Sequence, residues 1–241
     1  MQLIKGNSLE LLKEIPSDSV DLVVTDPPYK MNHSTGGCTS TGMKDRWKGN
    51  IKAGNTVMDF ETNVDFQDWI PEVYRVLKDG SHCYIFCNDK NMQELLNAAT
   101  DIGFKESNIL VWIKNNSTPN RYYMKNLEFV VFLYKGKAKP INNMGSKCAV
   151  EVRNINGKDK FHPTEKPVEL LKSYILNSSQ EGDVVLDCFM GSGSTGVACK
   201  ETGRDFIGFE IKDNFFEIAK KRIEESIVEK PRELKLNSWK K

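Results

Sequence analysis

The segment LVVTDPPY, residues 22–29, decides the fold that the sequence predicts. Its apolar run is typical of a buried β-strand. The strand has to stop at Asp26, because Pro27 and Pro28 have no N–H with which to continue a hydrogen-bonded ladder. In an open α/β sheet, ligands bind in the crevice outside the carboxyl ends of the strands. The sequence therefore predicts that Asp26, the two prolines and Tyr29 lie at a ligand site.

The residues of this segment can bind a planar amine. The Asp26 carboxylate and the Pro27 carbonyl, whose direction is restricted by the locked φ of proline, are hydrogen-bond acceptors. Tyr29 offers a ring on which a heterocyclic base can stack, an interaction of about 1–3 kcal/mol. Acceptors that hold the hydrogens of an exocyclic amine would free its lone pair to attack an electrophilic methyl group. A plain strand end with a surface tyrosine is the alternative for this segment alone.

Length and composition favour one large α/β domain, residues 1–241. The chain has 39% hydrophobic residues and a formal net charge of +1, so it can bury a substantial core and lacks the global basic field of a histone-like protein. No apolar run approaches the roughly 20 residues of a membrane span, and Met1–Gly6 lack a signal-peptide core, so we expect a cytoplasmic protein without a membrane partner. The cysteines and histidines lack ligand spacing, and no metal is predicted.

Short apolar strands alternate with helical patterns along the chain. This alternation predicts a doubly wound, mostly parallel, seven-stranded sheet. The strands at 109–113 and 129–134 follow one another without a helix, so we expect them to form an antiparallel hairpin at one edge. Ser8 is predicted to cap the first helix, and Asp79-Gly80 is predicted to end the helix that starts near Phe66. The other predicted strands are 2–5, 22–25, 82–87, 183–187 and 205–209.

Two segments show neither the helical nor the strand periodicity of apolar residues. Residues 31–60 directly follow the first motif and are predicted to be a mobile, lid-like loop, with a disordered insertion as the alternative. Residues 136–161 belong to a region, 105–172, in which 13 basic residues face 6 acidic ones. With Tyr122 and Tyr123 nearby, this region has the makeup of a surface that contacts phosphates and bases. A solvated, lysine-rich face is the alternative.

A second motif, GSGSTG at 191–196, follows the apolar strand that ends at Asp187. Its glycines let the backbone turn tightly and approach a ligand, and a helix beginning near Ser194 points its N–H groups at that ligand. Glu210 ends the next strand, about 20 residues on, where nucleotide-binding folds hold ribose hydroxyls. The literal G-x-G-x-x-G pattern leaves a nicotinamide or flavin oxidoreductase as an alternative. The chain after Glu210 is too short for a second mononucleotide half, which favours a cofactor with one nucleoside and a circularly permuted strand order.

Three blocks occur in this order: DPPY at 26–29, HPTEKP at 162–167 and DCFMGSGST at 187–195. Together they resemble the β-class of S-adenosylmethionine-dependent DNA amino-methyltransferases, which modify adenine N6 or cytosine N4. The resemblance implies a circularly permuted, Rossmann-like class I methyltransferase with S-adenosylmethionine as cofactor. It favours adenine N6 in a flipped-out base as the target, and the residues leave cytosine N4 open. The implied partners are double-stranded DNA, a cognate restriction endonuclease and, because the recognition interval 136–161 is short, a second copy of the chain.

The resemblance also implies roles for individual residues. The catalytic residues are Asp26, Pro27, Pro28 and Tyr29. Phe189, Gly191 and Gly193 line the methionine part of the cofactor, Thr164 and Lys166 lie near its methionine end, and Glu210 holds the ribose. Asn7, where the family usually has Asp, meets the adenine ring. The complete set predicted to bind the cofactor is Asn7, Asp26, Thr164, Lys166, Asp187, Phe189, Gly191, Ser192, Gly193, Ser194, Thr195 and Glu210.

Overall fold

The computed structural model describes residues 1–28, 64–118, 122–162 and 164–228. These residues contain eight strands and six α-helices, with a 3₁₀ turn at Gly157–Asp159. The strands are β1 (Gln2–Lys5), β2 (Val20–Thr25), β3 (Leu77–Cys87), β4 (Lys105–Thr118), β5 (Lys125–Tyr134), β6 (Ala149–Glu151), β7 (Val184–Asp187) and β8 (Asp205–Glu210). The helices are α1 (Ser8–Glu14), α2 (Phe66–Val76), α3 (Met92–Ile102), α4 (Val168–Ser178), α5 (Ser194–Glu201) and α6 (Asp213–Glu225).

All eight strands form one mixed sheet in the order β1-β8-β7-β2-β3-β5-β4-β6. The first five strands in this order are parallel, and β5 is antiparallel to both β3 and β4. The mostly parallel α/β class is confirmed, and so is the permuted order. The strand that carries the glycine-rich motif, β7, lies between β8 and β2 although it is the seventh along the chain.

The predicted number of strands, seven, is wrong, and the hairpin is not at the edge. β6 pairs in parallel with β4 and forms the outermost strand on that side. It has only three residues, Ala149–Glu151. A strand this short has too few residues to show an alternating pattern in the sequence. β4 and β5 are also longer than predicted, with 14 and 10 residues, because their polar ends pair beyond the apolar centre.

Helices cover both faces of the sheet. In β2, Val23 packs in the core beneath α1, α2 and α3, whereas Leu22 and Val24 pack in the core beneath α4, α5 and α6. Successive side chains of a strand point to opposite faces, so a strand covered on both sides has an uninterrupted apolar sequence. This arrangement explains the continuous apolar run in front of Asp26.

Two predicted helix boundaries are wrong. Asn7, not Ser8, caps α1: Asn7 Oδ1 accepts a hydrogen bond of 3.1 Å from Leu9 N, and Ser8 Oγ donates to Cys188 O. Helix α2 ends at Val76 rather than at Asp79-Gly80, because β3 begins at the next residue. Ser and Asn are both good capping residues, so composition alone did not distinguish positions 7 and 8.

The predicted lid, residues 31–60, lies outside the described part of the chain. The insert 136–161 is described, and it holds β6 and the 3₁₀ turn between irregular, mostly exposed segments. Within the described residues, no helix has the length and apolar character needed to cross a bilayer.

Candidate active site

The carboxyl ends of β2 and β7 lie side by side. The two strands pair in parallel, with Val23 opposite Leu186. Asp26 directly follows β2, and β7 ends at Asp187. A hydrogen bond of 2.8 Å from Thr25 Oγ1 to Asp187 Oδ1 joins the two ends. The first motif and the glycine-rich motif, about 160 residues apart in sequence, therefore begin next to one another at the ligand-binding edge of the sheet.

Asp26 has a charged partner on only one of its carboxylate oxygens. Oδ2 is paired with Lys166 Nζ, which also lies 2.8 Å from Glu128 Oε1. Oδ1 is buried and has no hydrogen-bond partner among the residues that the structure describes. Burial raises the pKa of Asp26, and the ammonium group of Lys166 opposes this rise. An acceptor that is buried without a partner is costly, so Oδ1 marks the place where a donor from a ligand would bind.

The other residues of the first motif directly follow Asp26 in the chain. Pro27 is buried and Pro28 is half-buried. Tyr29 lies outside the described residues, so the stacking of a base on its ring stays a prediction. The structure thus places three of the four predicted catalytic residues at the end of β2.

Glycines in the left-handed region build the loop between β7 and α5. Gly191 has a φ of +52° and Gly193 a φ of +80°, which L side chains rarely adopt. A Cβ on Gly193 would come within 2.8 Å of Ala219 Cβ on α6. At Gly191 a Cβ would meet nothing nearer than 3.8 Å, on the His162 ring. The loop therefore turns tightly onto α6 at Gly193, whereas a Cβ at Gly191 would only reach ordinary contact with the His162 ring.

Backbone N–H groups orient Glu210 at the end of β8. Its Oε2 accepts a hydrogen bond of 3.0 Å from Gly191 N, and its Oε1 accepts one of 2.8 Å from Lys212 N. Burial raises the pKa of Glu210, while these two N–H groups lower it. Gly6 N donates to Glu210 O at 3.0 Å, which brings Asn7 to the same end of the sheet. Two residues predicted to bind the nucleoside, Asn7 and Glu210, are thus brought together.

Asp187 joins both motifs to the start of α5. Its Oδ1 accepts from Thr25 Oγ1 and from Phe189 N, the latter at 3.1 Å, and its Oδ2 accepts from Thr195 Oγ1 at 2.6 Å. Burial raises the pKa of Asp187 to about 6, although the hydroxyl donors favour its ionised form. Asp187 and Thr195 therefore hold the glycine-rich loop in place through hydrogen bonds within the protein.

The described residues between 161 and 166 fold around the Glu165 carboxylate. Glu165 Oε2 accepts hydrogen bonds from Phe161 N at 2.7 Å and from His162 N at 3.4 Å. His162 Nδ1 accepts from Thr164 N at 3.2 Å, which assigns the proton of the neutral ring to Nε2. Burial, together with nearby lysines, lowers the pKa of His162 to about 3. The turn carries Lys166 to the carboxylate of the first motif, so the HPTEKP block and the DPPY block meet.

Arg222 on α6 links the glycine-rich loop to this turn. Its Nη1 donates to Ser192 O at 2.6 Å and lies 3.4 Å from Ser194 Oγ. Its Nη2 pairs with Glu165 Oε1 at 2.6 Å. The guanidinium group also lies 4.8 Å over the ring of Phe161. Ser192 and Ser194, predicted to bind the cofactor, are therefore fixed by a residue that no sequence pattern indicated.

Sequence reasoning also missed Glu128, Lys114 and Trp69. The Trp69 ring packs edge-on against Phe189, with ring centroids 5.3 Å apart. Glu128 lies on β5 and pairs with Lys114 and Lys166. The sequence signal for Glu128 was its place as an acid in the otherwise apolar run LEFVVF, residues 127–132, because a buried carboxylate needs a partner.

A permuted, doubly wound sheet with an acidic acceptor beside a glycine-rich loop is the arrangement of a class I methyltransferase. Residues 20–221 match the model of the N6/N4 methyltransferase family, described as DNA methylase. The chain belongs to this DNA methylase family, and the predicted resemblance is confirmed.

Individual relatives agree with the family. The chain is 31% identical over 249 residues to the type II methyltransferase M2.DpnII of Streptococcus pneumoniae, with 93% of this chain and 90% of that protein covered. It is 29% identical over 264 residues to the type II methyltransferase M.HinfI of Haemophilus influenzae, with 98% and 71% covered.

Solved structures show the same fold. The M1.HpyAVI–SAM complex, where SAM is S-adenosylmethionine, matches with a TM-score of 0.67 and 26% identity over 92% of this chain and 98% of that one. The cytosine-N4-specific PvuII DNA methyltransferase matches with a TM-score of 0.69 and 21% identity over 91% and 85%. At that identity the PvuII enzyme shows the fold alone.

The chain is therefore a DNA methyltransferase that uses S-adenosylmethionine, and the predicted cofactor is confirmed. Membership of the family excludes the oxidoreductase alternative. The family includes both adenine-N6 and cytosine-N4 enzymes, so membership leaves both amines open.

Proposed function

We propose that this chain methylates the N6 amino group of adenine in double-stranded DNA, after the base has rotated out of the duplex. The observation that carries the proposal is Asp26 Oδ1, a buried acceptor at the carboxyl end of β2 that no described residue contacts with a hydrogen bond. The acid at position 26 favours adenine through the resemblance to the β-class enzymes. Cytosine N4 is the alternative, because its amine offers the same hydrogens to the same acceptor.

The site fits the cofactor on three observations. The backbone at Gly191 is not crowded by described side chains, Glu210 presents a carboxylate at the end of β8, and the main chain of Gly6 brings Asn7 next to it. We propose that Glu210 binds the ribose hydroxyls, that Asn7 contacts the adenine ring, and that Phe189 lines the methionine part. When bound, S-adenosylmethionine supplies an electrophilic methyl group on a sulfonium centre. The remaining loop residues proposed to bind it are Gly191, Ser192, Gly193, Ser194, Thr195 and Asp187, with Thr164 near its methionine end.

The residues of the first motif act on the amine. Asp26 Oδ1 and the Pro27 carbonyl accept its two hydrogens, which localises the nitrogen lone pair toward the methyl carbon. As the nitrogen–carbon bond forms and the sulfur–carbon bond breaks, the nitrogen carries one proton too many, and Asp26 Oδ1 accepts it. Lys166 stays on Oδ2 throughout. Positioning of the two reactants supplies much of the acceleration, and no covalent enzyme intermediate is needed.

We further propose that residues 136–161 form the target-recognition insert. Its basic side chains at 137, 139, 147, 153 and 158 are exposed. Beside it, the turn between β4 and β5 presents Tyr122 and Tyr123, which are 80% and 92% exposed. Exposed cations can bind phosphates, and aromatic rings can stack on bases, so this surface suits a duplex whose target base enters the site.

The remaining proposals concern partners and location. A short recognition insert favours a homodimer that adds surface on the DNA, and a lid formed by residues 31–60 would close over the base. The similarity to type II methyltransferases supports pairing with a cognate restriction endonuclease. We propose a cytoplasmic location, since the substrate is DNA.

Mass spectrometry of nucleosides tests the proposed reaction. Unmethylated duplex DNA is incubated with the protein and S-adenosylmethionine carrying a deuterated methyl group, then digested to nucleosides. We expect deuterated N6-methyldeoxyadenosine. Deuterium found only in N4-methyldeoxycytidine would mean that the target is cytosine N4 rather than adenine N6. If DNA of varied sequence yields no deuterated nucleoside at all, the proposal is overturned.

A further inference from the structure

We propose that Glu128 is a positioning residue for the methyl transfer, because through Lys166 it holds Asp26 so that only Oδ1 is open to the substrate amine. This inference rests on the proposed function of Asp26. Glu128 itself lies on β5 and is not adjacent in sequence to any of the three motifs.

Four charged side chains form a continuous chain at the site. Lys114 Nζ lies 2.9 Å from Glu128 Oε2, Glu128 Oε1 lies 2.8 Å from Lys166 Nζ, and Lys166 Nζ contacts Asp26 Oδ2. The side chains of Lys166 and Glu128 are only 7% and 14% exposed. The two acids and two lysines of this chain of contacts balance in charge, which is the condition under which buried charges are tolerated, and the buried Lys160 and Asp187 lie close enough to act on the same groups.

Glu128 determines how many donors Lys166 has left for Asp26. An ammonium group has three N–H donors. Besides Asp26 Oδ2, the Lys166 Nζ has Glu128 Oε1 and Thr164 O, the latter at 3.2 Å, as acceptors. If the charge of the Glu128 carboxylate is removed, Lys166 is held less strongly on that side, and one of its donors can turn towards Asp26. That donor can turn to Oδ1 and occupy the acceptor that the amine needs.

The negative charge of Glu128 also helps Asp26 to accept the hydrogen of the amine. Burial raises the pKa of Glu128, but Lys166 and Lys114 outweigh burial and keep it below its usual value, so Glu128 is ionised. Its negative charge adds to the effect of burial in raising the pKa of Asp26. A carboxylate with a higher pKa is a stronger acceptor for the amine hydrogen and for the proton that leaves.

Pairing within the sheet does not account for all these contacts. Glu128 lies opposite Trp112 on β4, and Lys114 is two residues further along that strand, so their ion pair is an ordinary cross-strand contact. Lys166 is different, because it belongs to the segment between the 3₁₀ turn and α4. Its bond to Glu128 therefore connects the sheet to the catalytic carboxylate.

The pH dependence of the Glu128→Gln variant tests this role. The variant keeps the shape of the side chain and removes its charge. At saturating S-adenosylmethionine and DNA, we expect kcat to fall about 10- to 100-fold and the acidic limb of its pH profile to move to lower pH. The dissociation constant of S-adenosylmethionine, measured by calorimetry, should stay within about twofold, because Lys166, the residue of the predicted cofactor-binding set that Glu128 contacts, is still held by Asp26 Oδ2 and Thr164 O. Glu106→Gln, an exposed acid on β4, is the matched control.

A second variant covers the case in which Glu128→Gln does not fold. Glu128→Gln combined with Lys114→Met removes one charge of each sign and leaves Asp26 paired with Lys166, so the cluster stays neutral. We expect this double variant to fold and to show the same loss of kcat. An unchanged kcat in both variants, or a loss of kcat in Glu128→Gln alone with an unmoved acidic limb, would overturn the role of Glu128. If the wild-type protein transfers no methyl group to DNA, it is the proposed function that fails.

Discussion

Replacing Arg222 by methionine removes the ion pair that joins α6 to Glu165. Arg222 and Glu165 are 15% and 2% exposed at their side chains, with 2.6 Å between Nη2 and Oε1. Breaking a buried ion pair by removing one partner costs about 3–5 kcal/mol, because a charge is left buried. The N–H groups of Phe161 and His162 still bind Glu165, which favours the lower end of this range. For a chain of this size, about 3 kcal/mol corresponds to a fall in Tm of roughly 6–12 °C.

A double-mutant cycle separates the ion pair from other effects. Free energies of unfolding are measured in urea for Arg222→Met, Glu165→Gln and the double variant. We expect the double variant to be more stable than Arg222→Met, because it no longer buries an unpaired carboxylate, with a coupling energy of about 2 kcal/mol. A loss below about 1 kcal/mol in Arg222→Met, or losses that simply add in the double variant, would refute this reasoning.

Cofactor affinity shows whether Arg222 also shapes the site. Arg222 Nη1 fixes Ser192, so Arg222→Met should weaken S-adenosylmethionine binding several-fold in calorimetry. Lys200→Met is the control, because Lys200 Nζ anchors the end of the same helix through Ile223 O at 2.7 Å and Glu224 O at 2.8 Å. That control should lose stability without losing affinity. Equal weakening in both variants would mean that only the docking of α6 matters.

Two further predictions concern the loop and the turn. Gly193→Ala should lose S-adenosylmethionine affinity, because its Cβ would lie 2.8 Å from Ala219 Cβ. Gly182→Ala has a similar φ of +84° and its Cβ would meet no described atom within 4 Å, so this variant should keep its affinity and lose only roughly 1 kcal/mol of stability to backbone strain. Calorimetry and thermal unfolding of both variants check this, and equal loss of affinity would contradict it. Burial lowers the pKa of His162 from 6.5 to about 3, so between these two pH values the unfolded chain binds more protons than the folded chain. The contribution of neutral His162 to the free energy of unfolding is therefore full above pH 6.5 and is lost as the pH falls. When the pH is lowered from 7 to 5, the free energy of unfolding in urea should therefore fall by about 2 kcal/mol less in His162→Gln than in wild type. An equal fall in both proteins would show that another group titrates.

The sequence predicted the parts of the site whose chemistry is written in short motifs. Prolines after an apolar run end a strand wherever they occur, and a glycine-rich turn before a helix has few other uses. Both motifs could thus be placed at strand ends from residues 22–29 and 184–196 alone. That the two ends are adjacent depends on the permuted strand order, which the position of the glycine motif late in the chain already indicated.

The connecting charges could not be predicted in the same way. Arg222 lies in a helix rich in Lys and Glu, where most charged side chains face solvent, and nothing in its spacing distinguishes it. Lys166 belongs to a predicted block, but its partner Glu128 comes from a strand about 40 residues earlier, and such a contact depends on tertiary packing. The extra strand β6 was missed for a similar reason, since three residues of the insert are ordered only by pairing with β4.

The most direct measurement compares Asp26→Ala with wild type in one preparation, by calorimetry with S-adenosylmethionine and by transfer of its labelled methyl group to duplex DNA. We expect transfer to fall about 10³-fold or more, while the dissociation constant changes by less than about threefold, because the acceptor follows β2, whereas the residues proposed to bind the nucleoside, Asn7 and Glu210, lie at the ends of β1 and β8. Asp101→Ala, an exposed acid on α3, should match wild type in both assays. Transfer that persists in Asp26→Ala, or cofactor binding lost in parallel with it, would contradict the assignment of Asp26 as the group that acts on the amine.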